Sequence, residues 1–449
     1  MSTDRAAIAD WLAQHDICEV ECLVADIAGN SRGKFVPVEQ FNSQSEVFLP
    51  EAVLIQSITG EYSDSHWDYV KHSDADMLLK PDASTLRLVP WAKTPTAQII
   101  HNCYTMDGEP HPLSSRNILQ RVLQLFADDG LRPVVAPEME FYLLARNTDT
   151  NEQLRPPVGR SGRAESSRLS YSIDAMAEFD DFIKDLYAYA GQQNLDVDTL
   201  VHENGAAQME INFAHGNALN LADQVFAFKR TVREVAHKHG IYATFMARPM
   251  PEEPGSAMHI HQSIVASETG DNIFVDREGQ HTGAFFAYIA GLQQYTPELT
   301  SFYAPNVNSY RRLAIGSTAP SNLDWGFDNR TTAFRVPNSS AEAVRVENRF
   351  PGADVNPYLA FAATLASGYL GMKNESVASQ PQLGTANENS VQVARSLEEA
   401  LRKLGSSTEV KEIFGELFLR AYAAVKLNEF EAFNRVITPW EREHLLLQV

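Results

Sequence analysis

An α+β fold is predicted by three features of the sequence: segments in which polar and apolar residues alternate, segments with an apolar stripe at helical spacing, and turn residues between them. Alternation predicts half-buried strands, because residues i and i+2 of a strand point to the same face of the sheet. A hairpin is predicted where Cys18–Asp26 and Gly33–Pro37 flank the turn at Gly29-Asn30. The apolar stripe from Arg116 to Asp129 stops at Gly130, which predicts an amphipathic helix.

The remaining elements are predicted in the same way. Strands are expected at Thr85–Val89, Thr96–Tyr104 and Val134–Leu144. Helices are expected at about Thr3–Gln14, Asp174–Gly191, Asn220–His239, Gly283–Gln294 and Asn356–Lys373, with two helical patterns alternating from Ser396 to Trp440. The polar segment 147–168, which contains proline and arginine, is expected to form a loop.

Three of the strand-like segments place polar side chains two residues apart. These side chains are Glu138 with Glu140, His259 with His261, and Arg345 with Glu347 and Arg349. Each set would share one face of a strand while mostly apolar neighbours face a core on the other side. Such charged groups are costly to bury unless they pair or hold ions. The sequence therefore predicts a sheet face that forms the wall of a site for metal ions and a polyanion.

A fourth segment adds two carboxylates to this site. Glu210 and Asn212 alternate with apolar residues, as on a half-buried strand. Glu203 lies an odd number of positions before Glu210, so a continuous strand would put the two on opposite faces. The stretch Gly205-Ala206-Ala207 allows a turn or bulge that would return both side chains to one site.

The chemistry of the predicted ligands indicates the kind of ion. The ligands are Glu138, Glu140, Glu203, Glu210, His259 and Glu347. Carboxylates with an imidazole and no thiolate favour Mg²⁺ or Mn²⁺ over zinc. Mg²⁺ beside clustered arginines indicates phosphoryl transfer, because both neutralise charge on the phosphate oxygens. A solvated strand face or a surface ion-pair ladder would explain any one pair alone, but four such segments set among apolar residues favour the site.

The same motifs, in this order, resemble those of the glutamine synthetase family over nearly the whole chain. They are Asp26–Lys34, Pro-Glu-x-Glu-Phe at 137–141, His-Glu-x₆-Glu at 202–210, Gly-Ser-x-Met-His-x-His-Gln-Ser at 255–263, Asn308–Leu313, Asp328–Pro337, Arg-x-Glu-x-Arg-Phe-Pro at 345–351 and Asn356-Pro357-Tyr358. The resemblance implies a small N-terminal β-grasp-like domain, residues 1–107. It also implies a catalytic domain, residues 108–449, built on a curved, mainly antiparallel sheet with flanking helices.

The resemblance also implies roles, residue by residue. The first metal ion would be held by Glu140, Glu203 and Glu210, and the second by Glu138, His259 and Glu347. ATP, the co-substrate, would contact His261, Ser263, Arg335 and Arg345. Glutamate would contact Gly255, Arg312 and Arg349, and Arg330 would reach the transferring phosphoryl group. The predicted catalytic residues are Arg330, Arg312 and Glu203, with Mg²⁺ or Mn²⁺ as cofactor. The base that deprotonates the amine is not identified, although the glutamates around the first ion are candidates.

Departures from the family pattern bear on the nitrogen substrate. Ammonium-using members carry a flap glutamate where this chain has Thr318, which we assign to the substrate site. They also carry an aspartate in the stretch that corresponds to Leu54–Gly60, which here contains no acid. Pro254 replaces an asparagine before Gly255, so one glutamate contact is in doubt. The pattern is similar to the branch that ligates glutamate to polyamines or other amines.

Three functions remain open after the sequence. The favoured one is an ATP-dependent ligase that joins the γ-carboxylate of glutamate to an amine such as putrescine, through a γ-glutamyl phosphate. The second is glutamine synthetase proper, with ammonium as the acceptor. The third is a non-catalytic, ring-forming relative. This last function is disfavoured because six metal ligands and five arginines of the motifs are all present.

Composition and family resemblance set expectations for partners and location. A net charge of −21 argues against nucleic-acid binding. Three unpatterned cysteines, the lack of a signal-peptide segment and the lack of a membrane-length apolar run lead us to expect a cytoplasmic protein. The resemblance implies a hexameric or dodecameric homo-oligomer, in which a neighbouring loop near Tyr62, Trp67 and Tyr69 completes each site. No tyrosine lies in 374–388, so control by adenylylation is expected to be absent.

Overall fold

The structure is a computed structural model that describes residues 3–43, 46–147, 149, 152–166, 168–314, 319–386 and 392–449. Among the helices described, none combines the length and the apolar character that a membrane crossing requires. Thr318 and its neighbours 315–317 lie outside the described residues.

The first part of the chain forms a sheet with two helices. Its elements are α1 (Thr3–Gln14), β1 (Glu19–Ala25), β2 (Ser31–Pro37), α2 (Val38–Ser43), β3 (Val47–Pro50), β4 (Asp76–Pro81), β5 (Arg87–Leu88) and β6 (Thr96–Tyr104). The six strands are ordered β2-β1-β6-β4-β3, with β5 also paired to β6. Strands β1 and β6 are parallel, and the other pairs are antiparallel.

The predicted hairpin and the predicted first helix are confirmed. Strands β1 and β2 pair antiparallel from Glu19 opposite Pro37 to Ala25 opposite Ser31. The strand predicted at Thr85–Val89 is shorter, because Ala83–Thr85 forms a 3₁₀ turn. Asp82 caps this turn by accepting a hydrogen bond from the Ser84 amide.

The rest of the chain combines a larger sheet with a helical layer. Its strands are β7 (Leu131–Ala145), β8 (Val197–His202), β9 (Gln208–Phe213), β10 (Gly216–Asn217), β11 (Ile241–Thr244), β12 (Met258–Ala266), β13 (Trp325–Phe327), β14 (Phe334–Val336) and β15 (Val346–Asn348). Its helices are α3 (Ser115–Asp128), α4 (Ile173–Ala177), α5 (Asp180–Gln192), α6 (Ala218–Lys238), α7 (Gly283–Tyr303), α8 (Ser309–Arg312), α9 (Pro357–Lys373), α10 (Leu397–Lys403), α11 (Thr408–Phe414), α12 (Glu416–Asn434) and α13 (Pro439–Leu445).

The nine-stranded sheet is mainly antiparallel, as predicted. Its strands are ordered β13-β14-β15-β12-β7-β9-β8, and β10 and β11 also pair with β7. Only β13 and β14 are parallel among these pairs. The boundary predicted between residues 107 and 108 falls between the last strand of the small sheet and α3, and it stays a prediction.

Several helix boundaries differ from those predicted. The helix expected at Asp174–Gly191 is two helices, because Phe179, with φ −120°, leaves the helical conformation between α4 and α5. Helix α7 runs past the predicted end at Gln294 to Tyr303, with Pro297 inside it. The tail contains four helices: Ser396, Ser407 and Thr438 cap α10, α11 and α13, and Gly415, with φ +83°, separates α11 from α12.

A buried ionic network joins the small sheet to the rest of the chain. The guanidinium group of Arg116 donates to both oxygens of Asp223, at 2.9 and 2.8 Å, and to Asp82 at 2.7 Å. The hydroxyl of Tyr358 donates to Asp223 at 2.7 Å. Arg116 lies on α3, Asp223 on α6 and Tyr358 on α9, while Asp82 follows β4. The network therefore fixes three helices against one edge of the small sheet.

Replacing Asp223 by alanine is expected to lower the free energy of unfolding by about 3–5 kcal/mol, because it leaves the Arg116 charge buried with less compensation. Urea denaturation followed by circular dichroism measures this change. The matched control is Asp185→Ala, whose carboxylate contacts the half-exposed Lys238 at 2.8 Å and the partly exposed His239 at 2.7 Å. That change should cost about 0–1 kcal/mol. Equal losses in the two variants would contradict a special role for the buried network.

Candidate active site

Strand register brings the predicted polar pairs onto one continuous wall. Strand β7 lies between β12 and β9, so Glu138 is opposite His259 on one side and Asn212 on the other. Glu140 is opposite Glu210 in the same ladder. Across the next strand pair, His261 is opposite Glu347. Because paired residues of neighbouring strands point to the same face, one side of the sheet carries all of these groups.

Glu203 reaches the same cavity through a tight turn, as the sequence predicted. Strands β8 and β9 pair antiparallel, and the Glu203 amide donates to the Gln208 carbonyl at 2.8 Å. Ala207 adopts the left-handed conformation, with φ +57°, which allows the chain to reverse there. The Glu203 carboxylate accepts a hydrogen bond from the Asn204 amide at 3.1 Å.

Among the described residues, two groups of three have ligand atoms within 4.8 Å of one another. One group is Glu138, His259 and Glu347, and the other is Glu140, Glu210 and His259. The first contains the three residues expected around the second ion. The second contains two of the three residues expected around the first ion, with His259 shared between the groups. Glu203 belongs to neither group but lines the same cavity.

The two carboxylates of the second group, Glu140 and Glu210, ionise less readily than ordinary carboxylates. Burial, together with the charge of Glu203, raises the pKa of Glu140 to about 8. Burial, together with the charges of Glu138 and Glu140, raises the pKa of Glu210 to about 10. Burial also raises the pKa of Glu203. Crowded carboxylates in a buried site repel one another, so a cation between them would be strongly favoured.

In the first group, the negative charges of Glu138 and Glu347 are compensated by hydrogen-bond donors and cations beside them. Burial alone would raise the pKa of Glu138. Its hydrogen bonds with His259 and His261 have the larger effect, so the pKa is below its usual value. The Nε2 atom of His261 lies 2.9 Å from Glu138, and its Nδ1 accepts from Arg345 at 3.2 Å. The Arg345 bond fixes the ring so that Nε2 carries the proton that faces Glu138.

Glu347 lies between two arginines. Arg335 donates to Glu347 Oε2 at 2.9 Å, and Arg349 donates to Oε1 at 2.5 Å. Burial opposes ionisation of Glu347, but the charge of Arg349 and those of the histidines lower its pKa to about 2. Burial and the charge of Arg349 lower the pKa of His259 to about 4, so its ring is neutral near pH 7 and free to donate a lone pair.

The remaining arginines stand at the sides of a cavity of about 670 Å³. Arg312 is buried and donates to the carbonyls of Phe350 and Arg349, at 2.8 and 3.0 Å. The buried Nε of Arg349 has no hydrogen-bond partner among the described residues. Within that same part of the chain, no carboxylate lies at ion-pair distance from Arg330. The cavity thus offers guanidinium donors that its own carboxylates do not use.

Gly255 is required by the close approach of Arg312. A Cβ atom at this position would lie 2.7 Å from the Ala247 carbonyl oxygen and 2.7 Å from Cγ of Arg312. Any side chain would therefore push the Arg312 stem out of place. The neighbouring Pro254 carbonyl accepts a hydrogen bond from Tyr142 at 2.8 Å, which holds this loop against the sheet.

Two residues of the cavity were not predicted. Gln208 donates to Glu140 at 3.2 Å and to the Gly255 carbonyl at 3.0 Å, so it links a ligand to the glycine loop. It stands two residues before Glu210, and the same alternation that identified Glu210 could have identified it. Tyr171 also lines the cavity, in the left-handed conformation with φ +60°. No local pattern indicated Tyr171, since it follows a polar loop.

Four residues of the predicted site do not line this cavity, namely His261, Ser263, Arg345 and Glu347. Ser263 lies on β12 beyond His261, opposite Val134, and does not line the cavity. Thr318 lies outside the described residues. The Leu54–Gly60 stretch is held elsewhere, since the Ile58 amide donates to the Glu429 carboxylate of α12 at 2.8 Å. Within one chain, this stretch therefore contributes nothing to the cavity that the described residues form.

Comparison with known proteins bears on both sequence and fold. The family described as glutamine synthetase, catalytic domain, matches residues 112–445. The glutamate–isopropylamine ligase of Pseudomonas sp is 34% identical over 453 residues, which cover 97% of this chain and 96% of that relative. The gamma-glutamylputrescine synthetase PuuA of Escherichia coli (strain K12) is 35% identical over 434 residues, which cover 95% of this chain and 91% of the relative.

The solved structure of a GmaS/ADP complex superposes with a TM-score of 0.84 at 26% identity, and the match covers 98% of this chain and 99% of that one. This likeness confirms the predicted α+β fold of the glutamine synthetase type. With the family matched over residues 112–445 and two relatives at 34% and 35% identity over almost their whole length, the chain belongs to the glutamine synthetase family.

Proposed function

We propose that the chain is a carbon–nitrogen ligase that uses ATP to join the γ-carboxylate of L-glutamate to an amine. The observation that carries the reaction class is the pair of ligand groups that share His259, beside Arg312 and Arg330, which have no carboxylate at ion-pair distance among the described residues. Carboxylate and imidazole ligands next to unpaired arginines suit the transfer of a phosphoryl group, whose charge must be stabilised as it moves.

The residues divide into those for ions, nucleotide and glutamate. The ions would be held by the two groups of three, and the donor set suits Mg²⁺ or Mn²⁺ because its ligands are hard oxygens and one imidazole. Bound Mg²⁺ would neutralise negative charge on the phosphate oxygens. The nucleotide would contact His261, Ser263, Arg335 and Arg345, and glutamate would contact Gly255, Arg312 and Arg349.

The proposed reaction has two steps. A γ-carboxylate is a poor acyl donor, so its oxygen first attacks the γ-phosphorus of ATP, which gives γ-glutamyl phosphate and ADP. Arg330 would stabilise the moving phosphoryl group, and Arg312 would hold the glutamate skeleton in line. The amine nitrogen then attacks the acyl carbon, the C–O bond to phosphate breaks, and the amine proton passes to a base. We assign that base to Glu203, which lies in the cavity outside both ligand groups.

The acceptor is proposed to be an alkyl amine rather than ammonium. Ammonium is small and charged and needs close negative groups, whereas Leu54–Gly60 contains no acid and Thr318 replaces the expected glutamate. An alkyl amine can bind partly through apolar contact. The names of the two relatives, an isopropylamine ligase and a putrescine synthetase, support this choice. Glutamine synthetase proper remains the alternative, because relatives with that name are 31–33% identical to this chain.

We further propose that the chain forms closed homo-oligomeric rings. Trp67 is 36% exposed and Tyr62 39% exposed in the single chain, and their rings pack against His66 and His72. Exposed aromatic rings of this kind suit an interface. The Leu54–Gly60 stretch precedes them and would reach a neighbouring subunit's cavity, since it does not line its own.

The metal assignment predicts opposite effects of one substitution on stability and on activity. Glu210→Gln should raise the melting temperature in EDTA, because a carboxyl group with a pKa of about 10 must take up a proton when the protein folds at neutral pH, and an amide avoids that cost. It should also reduce the stabilisation that saturating Mg²⁺ gives the unchanged protein, which is about 2.7 kcal/mol at a hundred times the dissociation constant. Turnover should fall more than about 100-fold, as it should for Glu138→Ala and His259→Ala.

Thermal unfolding with and without Mg²⁺, together with phosphate release, measures these effects. Glu268→Gln, an exposed glutamate on the strand-end turn after β12, is the matched control and should change neither. Near-normal activity in two of the three ligand variants would mean that the metal assignment is wrong.

The acceptor assignment predicts that putrescine, isopropylamine or a related amine gives a kcat/KM much larger than ammonium does. Phosphate release is measured with ATP, Mg²⁺ and glutamate while the acceptor is varied. Thr318→Glu should shift the preference toward ammonium, and Thr318→Gln controls for the change in size. If ammonium is used as efficiently as any amine, the protein is instead a glutamine synthetase proper. If no acceptor supports phosphate release, a non-catalytic ring protein is favoured.

If the sites are shared between subunits, enzymatic activity should be found only in the species that sediments as a hexamer or dodecamer. Dilution that releases monomers should abolish activity, because each cavity would lose the loop of its neighbour. Analytical ultracentrifugation at several concentrations, paired with the phosphate assay, measures both quantities. A monomer that retains full activity would exclude sites shared between subunits.

A further inference from the structure

A second cavity, of about 550 Å³, lies where the small sheet, α6 and α12 meet. Its lining includes Ile58 from the small domain, Lys229 and Arg233 from α6, Phe245 after β11, and Phe433 from α12. It shares no lining residue with the active-site cavity. We call it the α6 cavity.

Two cations face the α6 cavity without carboxylate partners of their own. Lys229 is buried, and its ammonium group donates to the Val355 carbonyl at 2.7 Å, which uses one of its three hydrogens. In the described part of the chain, no carboxylate lies within ion-pair distance of either Lys229 or Arg233. In a chain of net charge −21, two neighbouring cations left in this state are unusual.

An aromatic ring connects the two cations. The Lys229 Nζ atom lies 5.6 Å from the centroid of the Phe245 ring, and the Arg233 guanidinium carbon lies 5.9 Å from it. Burial lowers the pKa of Lys229 to about 7, with the charge of Asp354 acting in the opposite direction. An anion bound beside this amine would keep it protonated.

Two carboxylates also line the cavity, and only one of them is balanced by a cation. Glu429 accepts hydrogen bonds from the buried Lys426 ammonium at 2.8 Å and from the Ile58 amide at 2.8 Å. Asp354 accepts from Asn306 at 2.8 Å and from Ser309 at 2.6 Å through one oxygen. Its other oxygen is buried without a hydrogen-bond partner among the described residues. Because Lys426 balances Glu429, the two cations face only the single charge of Asp354, and the net charge at the cavity is positive.

Apolar side chains form the rim of the cavity. Met246 is 40% exposed, Phe433 40% and Val436 59%. Exposed apolar groups around a cavity with a few convergent polar groups are typical of small-molecule sites. A ligand that matches both parts carries one anionic group and an apolar body.

We propose that the α6 cavity binds an organic carboxylate with an apolar body. The carboxylate lies between Lys229 and Arg233, and the body packs against Phe245 and Phe433 at the rim. Arginine and lysine both bind carboxylates through charge-assisted hydrogen bonds, which are stronger than neutral ones. The site is separate from the glutamate site, whose arginines belong to the other cavity.

Phenylacetate is the probe, and isothermal titration calorimetry on the full chain is the measurement. The protein is first saturated with L-glutamate, ADP and Mg²⁺, so that the active site cannot take up the probe. One phenylacetate per chain is expected to bind. Phenylacetamide, which keeps the body and loses the charge, and acetate, which keeps the charge and loses the body, should each bind at least about tenfold more weakly.

Variants on one helix test the location. Arg233→Gln and Lys229→Met should each weaken phenylacetate binding by at least about tenfold. Lys238→Met removes an exposed lysine near the end of the same helix and should leave binding unchanged. Arg233 is exposed, so its variant is expected to fold even if the buried Lys229 variant does not. No binding of phenylacetate, or equal binding by the Arg233 variant and the unchanged protein, would overturn the proposal.

Discussion

The site depends on one constraint, which is the repulsion among carboxylates on a single face of a buried sheet. Glu138, Glu140 and Glu210 stand on adjacent strands, with Glu203 at the turn beside them and Glu347 beyond β12. Pure packing would not keep such a cluster, because buried like charges raise each other's pKa and weaken the fold. The protein holds them because strand register leaves them no other direction, and Mg²⁺ or Mn²⁺ between them would turn the repulsion into binding energy.

The positive groups are arranged to leave that cluster incompletely neutralised. Arg335 and Arg349 bond Glu347, and the histidines bond Glu138, so the first ligand group is balanced within the protein. Glu140 and Glu210 make no ion pair among the described residues, and their raised pKa values reflect it. Arg330 lines the same cavity, and no carboxylate in the described part of the chain lies at ion-pair distance from it. Charges of both signs thus remain available in one cavity, as a reaction between metal-bound phosphate and a carboxylate requires.

Much of this could be predicted because period-2 alternation is a local property. The pairs Glu138 with Glu140 and His259 with His261 follow from sequence spacing alone, and the turn that returns Glu203 follows from the glycine and alanine residues after it. What alternation cannot give is which strands are neighbours. The sharing of His259 between two ligand groups depends on β7 lying between β9 and β12, which is a property of the sheet order.

Other features escaped the sequence because they depend on contacts between distant segments. Tyr171 follows a polar loop and lines the cavity. The backbone amide of Tyr171 donates a hydrogen bond to the His202 carbonyl at 2.9 Å, which positions this part of the loop. The α6 cavity combines residues from both ends of the chain, and no local pattern joins Ile58 to Phe433. The helix break at Phe179 depends on the backbone conformation of that one residue, and the added helices α10, α11 and α13 of the tail begin at single capping side chains.

The central claim is that the site transfers the phosphoryl group of ATP to the γ-carboxylate of glutamate before the amine attacks. Glutamate labelled with oxygen-18 in its γ-carboxylate, turned over with ATP, Mg²⁺ and the preferred amine, tests this directly by mass spectrometry of the released phosphate. The account predicts that each phosphate released carries one labelled oxygen, because the carboxylate oxygen that attacks phosphorus leaves with it. Phosphate free of label, formed while the glutamyl amide accumulates, would contradict the account.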